Sequence, residues 1–199
     1  MTITTPAAGT RRTSETSVPI TPLLDERWSP RSYDETAEID DATVDSLLEA
    51  ARWAPSAMNL QPRRFIVGRR GTRTFELILE NLMGFNSAWA HRASVLVLSA
   101  VELGAGDGSH DQLALYDLGQ SVAHLTVQAH DAGLHVHQMS GIDIPGLRAA
   151  FDLPEHLVPA TVTAVGVVAE ASQLEGPAAE RETAPRSRKP LSELVLRRD

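Results

Sequence analysis

Residues 50–65, AARWAPSAMNLQPRRF, hold the loop from which the rest of the chain can be interpreted. The stretch begins as the end of an amphipathic helix and becomes a strand near Arg64. A helix normally stops at or before the residue that precedes a proline, so Pro55 predicts that the helix ends at Ala54. Two prolines bound an extended loop whose short polar side chains are Ser56, Asn59 and Gln61. Such a loop suits a planar polar ligand, although it is also common as a plain surface connection.

The same residues resemble a motif of the nitroreductase family of FMN-dependent oxidoreductases, AARWAPSSxNxQPWRF, which lies against the flavin in that family. Arg63 stands where the family usually has tryptophan, and this departure is expected to alter local packing more than flavin binding. The resemblance implies that Pro55, Ser56, Ala57 and Asn59 contact the cofactor. Pro55, Ser56 and Ala57 would contact the flavin of the other subunit of a dimer.

The composition excludes several classes of protein. With 199 residues, 42% of them hydrophobic and 22% charged, the chain fits one ordinary globular domain. No apolar run approaches the roughly 20 residues that cross a bilayer, so we expect no membrane partner. The net charge of −8 argues against a nucleic-acid partner. There are no cysteines, so redox chemistry would need a bound cofactor.

The sequence divides into three parts. Residues 1–18 are rich in Thr and Ser and lack the apolar stretch of a secretory signal, which predicts a disordered leader and a cytoplasmic protein. Residues 19–175 are expected to form an FMN-binding domain of nitroreductase type. Residues 176–199 are predicted to be a linker and a basic arm that completes a phosphate site. The linker prediction rests on the stretch 170–184, which is rich in Ala, Glu and Pro.

A first basic cluster occurs in the sequence RWSPRSY, residues 27–33, where Pro30 prevents helix continuation. In an extended segment Arg27, Ser29 and Arg31 would point to one side and could hold a phosphate or a polar ring edge. From spacing alone, a solvated basic turn is the slightly simpler explanation. The segment also resembles the RWSPRAF element of one branch of the same family. That resemblance implies that the pyrimidine edge and ribityl phosphate are held by Arg27, Trp28, Ser29 and Arg31, with Arg31 as the candidate cation near flavin N1.

Periodicity predicts helices over residues 19–27, 41–54, 72–82, 111–132 and 144–151, and strands over residues 64–68, 94–100 and 161–169. Asp40 or Asp41 can cap the second of these helices, and residues 153–159 are expected to form a loop. The run SVLVLSA at 94–100 is apolar throughout, which is typical of a central strand. The GAGDG that follows suggests a dinucleotide-binding loop, but Ser109 replaces the third glycine and a surface loop is the better interpretation.

The sequence FNSAWA at 85–90 resembles an NxAW element of the same family branch. By that resemblance the amide of Asn86 helps to hold the flavin. Trp89 could equally be a plain core residue, which is the more common fate of a lone tryptophan.

The helix predicted over 111–132 is apolar over most of its circumference, which indicates wide burial and, in a chain of this size, a dimer interface. Gly133 is placed to end it. The sequence YDLGQSVAHLTVQAHDAGLHVHQMSGID resembles the family segment HDVGxAVANLxLQAxxxGLxVHQMxGFD along its whole length.

His135 and His137 lie two apart on a probable strand and suggest a metal site. A third ligand at useful spacing is missing from the sequence, as is an HExxH motif, so structural histidines are the better interpretation and no metal is expected. The turn after them is implied by the resemblance to lie over the flavin N5 edge, through Gln138, Met139, Ser140 and Gly141. The flavin itself would carry the chemistry, with the backbone amides of Ser140 and Gly141 near N5.

Near its end the chain reads PRSRKPLSELV, which resembles a PKxRxPLEEL element whose basic residues hold the FMN phosphate in the family. This implies that Arg186 and Arg188 close on the phosphate. Alone, these residues fit a solvated basic tail.

The resemblance covers about residues 23–195 with its motifs in order. It implies an α+β fold of nitroreductase type, with a mixed, mainly antiparallel sheet flanked by helices, in a homodimer with flavin at the interface. The implied activity is hydride transfer from NAD(P)H through FMN to a small planar acceptor, such as a nitroaromatic or quinone, with ping-pong kinetics. A flavin-dependent oxidase or dehydrogenase of a biosynthetic pathway, a flavin-storage protein and a helical interaction module remain alternatives.

Overall fold

The structure is a computed structural model that describes Arg12, residues 14–104 and residues 106–199. Most of the predicted leader, namely residues 1–11 and 13, lies outside the described residues. The helices are α1 (Pro22–Asp25), α2 (Asp41–Arg52), α3 (Arg73–Glu80), α4 (Gly84–Ala90), α5 (Ala114–Asp131), α6 (Ile144–Ala150), α7 (Gly176–Thr183) and α8 (Leu191–Leu194). The strands are β1 (Arg63–Arg69), β2 (Val95–Glu102), β3 (His135–Met139) and β4 (Leu157–Gly166). The fold is therefore α+β, as predicted.

The four strands form one sheet in the order β1-β2-β4-β3. All three pairings between them are antiparallel. Strand β2 is central and seven of its eight residues are buried, which confirms the prediction from its continuous apolar sequence. Strand β3 lies at an edge, and the segment before α2 reaches this side of the sheet through a bridge between Tyr33 and Val168.

Helices cover both faces of the sheet. On one face, apolar residues of α2 and α5 pack against Val95 and Val97 of β2. On the other face, α3, α4 and α6 pack against Leu96 and Leu98, around the fully buried Trp89. Trp89 is thus a core residue. The alternation of β2 side chains between two apolar layers explains why the strand has no polar face.

Helix ends follow the local signals. The Asp40 side chain accepts a hydrogen bond from the Thr43 N–H at 2.7 Å and caps α2, as predicted. Gly133 follows α5 with φ of +76°, a conformation that glycine adopts without strain. In the described part of the chain, no helix combines the length and apolar character that a membrane crossing needs.

The predicted linker over 170–184 is wrong, because it contains a short 3-10 helix, Ala171–Gln173, and then helix α7. Tertiary contact stabilises α7, since Ala178 and Glu182 on it are buried.

The predicted loop over 153–159 is also shorter than expected, because β4 begins at Leu157 and includes Pro159. Ser99 and Ala100 of β2 pair with Thr161 and Pro159, so β4 has a β-bulge at Ala160, next to that proline. Strand β3 pairs only with residues 162–166. Pro159 therefore occupies an edge position that requires no donated N–H.

Candidate active site

The candidate site begins with the segment Arg27–Arg31, which runs beside the edge strand β3. The ring of His137 on β3 hydrogen-bonds the Pro30 carbonyl through Nδ1 at 2.9 Å. Since a carbonyl can only accept, Nδ1 is the protonated nitrogen of this histidine. Within the segment, Arg27 donates to the Ser29 hydroxyl at 3.4 Å. These contacts fix a non-helical segment between Arg27 and Arg31, as its proline predicts.

Three guanidinium groups from opposite ends of the chain lie close together at this segment. The pKa of Arg27 is lowered by burial and then by the neighbouring charges of Arg186 and Arg188. Burial, Arg188 and Arg12 lower the pKa of Arg186, and the smaller effect of Asp25 raises it. Arg186 is held there by a hydrogen bond to the Asp25 carbonyl at 2.8 Å. The structure therefore brings the two predicted basic clusters together.

The salt bridges of the described residues lie elsewhere, and none joins Arg27, Arg186 or Arg188 to a carboxylate. The charge of Asp25 compensates only part of the repulsion at Arg186. Gathering like charges with so little opposite charge is unfavourable unless a ligand supplies more of it. The arrangement suits an anion such as a phosphate, which accepts several charge-assisted hydrogen bonds from arginine.

Two further polar atoms in the segment point to a ligand. Trp28 Nε1 and Arg31 Nε are buried and have no hydrogen-bond partner among the described residues. A buried donor without an acceptor costs about 1–3 kcal/mol, so such atoms usually have a partner. Both residues are among those implied by the RWSPRAF resemblance.

Asn86 on α4 is joined to the turn after β3. Its side-chain amide donates to the Gly141 carbonyl at 3.1 Å, and the Met83 N–H donates to the same oxygen at 3.0 Å. A Cβ added to Gly141 would lie 2.8 Å from Asn86 Nδ2. The glycine therefore allows the asparagine amide, as well as any ligand, to approach this turn.

The residues before Gly141, namely the last two of β3 and Ser140, point in different directions. Gln138 donates to the Thr126 hydroxyl of α5 at 2.7 Å. Met139 is only 2% exposed and its side chain belongs to the core, so only its backbone is available to a ligand. Ser140 is exposed. Among the residues predicted here to contact the cofactor, Met139 is the one whose side chain packs in the core.

The loop at 55–59 is not extended, contrary to the expectation from its prolines. It contains a 3-10 turn, Ala57–Asn59, in which Met58 and Asn59 have φ of +49° and +56°. The Ala57 N–H donates to the Asp117 carboxylate of α5 at 3.0 Å, and the Ser56 hydroxyl accepts from the Gln61 N–H at 3.0 Å. The loop is thus held at the start of α5.

None of these hydrogen bonds joins Pro55, Ser56, Ala57 or Asn59 to the 27–31 segment within one chain. The structure brings Arg27, Trp28, Ser29, Arg31, Arg186 and Arg188 into one region, and it joins Asn86 of α4 to Gly141 in the turn after β3. The 55–59 loop is hydrogen-bonded to α5 instead.

Arg63 occupies the position where the family motif has tryptophan. Its guanidinium is buried and donates to the carbonyls of Arg52 and Ala54 at 2.7 and 2.9 Å. Those carbonyls belong to the end of α2, where the helix leaves acceptors unsatisfied. The substitution therefore replaces aromatic packing by a charged cap that supports the same loop.

The two histidines of β3 are structural. Burial is the largest cause that lowers the pKa of each from 6.5 to about 4, so both rings are neutral at pH 7. His137 packs against the Trp89 ring at 4.6 Å, and the His135 ring lies 6.2 Å from that of Trp28. Across the described chain, no cluster of three or more His, Asp or Glu side chains is placed to hold a metal ion.

A groove of about 510 Å³ runs along α5 and continues to Arg27 and Gln138. Its lining on α5 consists of Leu115, Leu118, Gly119, Val122, Ala123, Thr126 and Val127. Leu115 and the adjacent Tyr116 are 63% and 67% exposed. The long helix thus has a buried face and an apolar face that the single chain leaves uncovered.

Sequence reasoning missed three residues that shape this region. Asp117 holds the 55–59 loop, and the only sequence signal for it is a carboxylate inside an apolar helix. Glu182 accepts hydrogen bonds from the backbone of Arg31 and Ser32 but lies in a stretch without a motif. Arg181 lies over the Phe85 ring at 4.7 Å, next to Asn86.

Comparisons with known proteins agree with this geometry. The model of the Nitroreductase family matches residues 24–74, which include the RWSPRSY segment and the 55–59 loop. An uncharacterised 15.4 kDa protein from the ask 5′ region of Mycolicibacterium smegmatis is 34% identical over 143 residues, covering 67% of this chain and 94% of that protein.

Solved structures extend the similarity to almost the whole chain. An oxidoreductase containing FMN is 32% identical, with a TM-score of 0.85 over 92% of this chain and 93% of its own. A putative nitroreductase in complex with FMN from Desulfovibrio desulfuricans is 25% identical, with a TM-score of 0.72 over 92% of this chain and 99% of its own.

Proposed function

Because this chain belongs to the nitroreductase family, we propose that it is an FMN-dependent oxidoreductase that uses NAD(P)H to reduce a small planar acceptor such as a nitroaromatic or quinone. Bound FMN would supply the atom, N5 of its ring, that accepts and donates hydride. The observation that carries the proposal is the convergence of Arg27, Arg186 and Arg188, which no salt bridge of the described residues joins to a carboxylate.

The residues present fit this cofactor. The three guanidinium groups would bind its phosphate. The unpartnered Trp28 Nε1 and Arg31 Nε would donate to its polar atoms, with Ser29 beside them. This assignment uses two sets of residues that are about 160 positions apart in the sequence, since Arg186 reaches the Asp25 carbonyl across 161 residues.

The flavin ring would lie toward the turn after β3. Asn86 would orient it together with the amides of Ser140 and Gly141, while the Asn86–Gly141 hydrogen bond keeps these groups at a fixed separation. The side chains nearest to Gly141 are those of Asn86 and Met83, and neither can act as a general acid. We therefore assign proton delivery to water.

We propose that the active form is a homodimer. The uncovered apolar face of α5 needs a partner surface, and a second copy of the chain would cover it. The same partner would bring its Pro55, Ser56 and Ala57 to the cofactor, since in its own chain this loop is hydrogen-bonded to α5 and not to the 27–31 segment. The Asp117 hydrogen bond then positions a loop that serves the neighbouring site.

The Arg188→Ala variant is expected to bind FMN tenfold to a hundredfold more weakly, since one charge-assisted hydrogen bond contributes about 1.5–3 kcal/mol. Arg188 suits the test because it is exposed and donates to the adjacent Ser187 carbonyl, so its loss should leave the fold intact. Quenching of flavin fluorescence measures the affinity. Arg198→Ala, which removes another exposed arginine of the same tail, is the matched control. Equal affinity in both variants would contradict the phosphate assignment.

Turnover separates an enzyme from a flavin store. We expect NADH or NADPH, added anaerobically to purified FMN-loaded protein, to bleach the visible flavin absorbance within seconds, and a quinone or nitroaromatic to restore it. Steady-state rates should give the parallel lines of ping-pong kinetics. Absorbance that neither nicotinamide changes over many minutes would count against the reductase and favour a biosynthetic oxidase or a storage protein.

A further inference from the structure

We infer that Glu182 is a positioning residue, whose buried carboxylate fixes the backbone at Arg31 and Ser32 and so holds the 27–31 segment in the conformation that binds FMN. The inference rests on the proposed function for its ligand. Glu182 lies on α7, outside every motif that resembles the family.

The carboxylate of Glu182 makes two hydrogen bonds to consecutive peptide groups. Its Oε2 accepts from the Arg31 N–H at 2.8 Å and its Oε1 accepts from the Ser32 N–H at 3.0 Å. The residue is only 3% exposed. Because each oxygen takes one N–H, the contact restrains the orientation of both peptide planes as well as their position.

Ser32 and Tyr33 are held by the segment that precedes α7. The Ser32 hydroxyl donates to the Glu170 carbonyl at 2.6 Å, and Gln173 donates to the Ser32 hydroxyl at 2.7 Å and to the Tyr33 carbonyl at 2.8 Å. These bonds restrain residues 32–33 independently of Glu182. The distinct contribution of Glu182 is therefore the bond to the Arg31 N–H, on the peptide group whose carbonyl is held by His137.

Glu182 does this without pairing with the arginine side chains. It lies near the charges of Arg31 and Arg12, yet none of the salt bridges of the described chain includes it. A buried carboxylate costs free energy unless its oxygens are hydrogen-bonded, and the two peptide N–H groups meet that need. The Arg31 guanidinium consequently keeps its donors for a ligand.

The Glu182→Gln variant tests the inference with FMN as the probe. Glutamine keeps the size of the side chain but has one accepting oxygen, so it loses one of the two peptide hydrogen bonds. We expect the Kd for FMN, from quenching of flavin fluorescence at pH 7, to rise about tenfold. Glu180→Gln, on the same helix but exposed, is the matched control and should bind as the wild type does. Glu182→Asp, which keeps both oxygens on a shorter side chain, should recover part of the affinity.

A pH profile gives a readout that general destabilisation would not. Protonation of Glu182 converts one accepting oxygen into a donor, so FMN affinity of the wild type should fall as the pH is lowered from 7 to 4. The rise in Kd should be smaller in Glu182→Gln. The groups facing Glu182 are Arg12, Arg31 and Tyr33, which do not change charge in this range. His137, whose pKa is about 4, is present in both proteins and cancels in the comparison.

The outcomes separate the two proposals. Wild-type protein that binds no FMN would overturn the proposed function, and this inference with it. If the wild type binds FMN and Glu182→Gln binds it equally well, Glu182 is not a positioning residue, even if the unfolding temperature of the cofactor-free protein has dropped. If Glu182→Gln does not fold, Glu182→Asp decides, and unchanged affinity and an unchanged pH profile in that variant would overturn the inference.

Discussion

The Ala123→Arg variant is expected to be a monomer that has lost its FMN. Ala123 lies on the exposed side of α5 within the apolar groove, so an arginine there fits the single chain. In a dimer the guanidinium would be buried without a partner, which costs several kcal/mol. Light scattering should show the mass falling from twice the chain's 21.5 kDa to 21.5 kDa. Flavin absorbance after gel filtration should be lost in the same fractions.

The control for this prediction is Ala42→Arg, which places the same side chain at an exposed position of α2. It should keep both the mass and the flavin of the wild type. A wild-type protein that elutes with FMN at 21.5 kDa at micromolar concentration would contradict the dimer, because the 55–59 loop could not then reach a neighbour's cofactor.

Acid is expected to destabilise the protein strongly through His135 and His137. Both have a pKa of about 4 in the fold, chiefly because burial disfavours the charged ring, against 6.5 in the unfolded chain. The unfolded chain therefore binds more protons below pH 6.5, and stability is lost as the pH falls from 6.5 toward 4. Each histidine accounts for a loss of about 3 kcal/mol over that range. Burial raises the pKa of Glu182, so its protonation acts in the opposite direction and offsets part of the loss.

Urea unfolding of the wild type and of His135→Gln between pH 7 and pH 4 checks this expectation. The variant should lose less stability than the wild type across the range, even if it is less stable at pH 7. His124→Gln, which replaces an exposed histidine of α5, should follow the wild-type curve. Parallel curves for His135→Gln and the wild type would show that this ring does not titrate as its burial requires.

The elements that sequence patterns predicted well are those with strong local signals. The cap at Asp40, the buried run of β2 and the stop at Gly133 are each set by a few neighbouring residues. The basic clusters near Arg27 and Arg188 were recognised as candidates, but their proximity depends on the packing of the whole chain. Without the family resemblance, the first was better explained as a solvated basic turn and the second as a solvated basic tail.

The predictions that failed depended on distant contacts. Helix α7 has a weak local signal and is stabilised by the burial of Ala178 and Glu182 against segments about 150 residues earlier. In the 55–59 loop, Met58 and Asn59 have positive φ although neither is a glycine, so the sequence gives no signal for this conformation. It is adopted because Asp117 and Arg63 restrain the chain around the loop. Pro159 lies within a strand next to a bulge of that strand, at a position that β3 does not reach.

The hydrogen bonds of Glu182 and Arg186 to the start of the chain, across 151 and 161 residues, also bear on the order of events during synthesis. The sheet is complete once residue 166 has emerged from the ribosome, whereas the segment at 27–31 lacks its restraints until α7 and the arm follow. Contacts of such high sequence separation form late in folding. A nascent chain whose residues up to 175 have left the exit tunnel, but whose later residues have not, should therefore resist protease across the sheet yet be cleaved near Arg27. Capture of the cofactor should begin only once residues 182–188 have emerged as well.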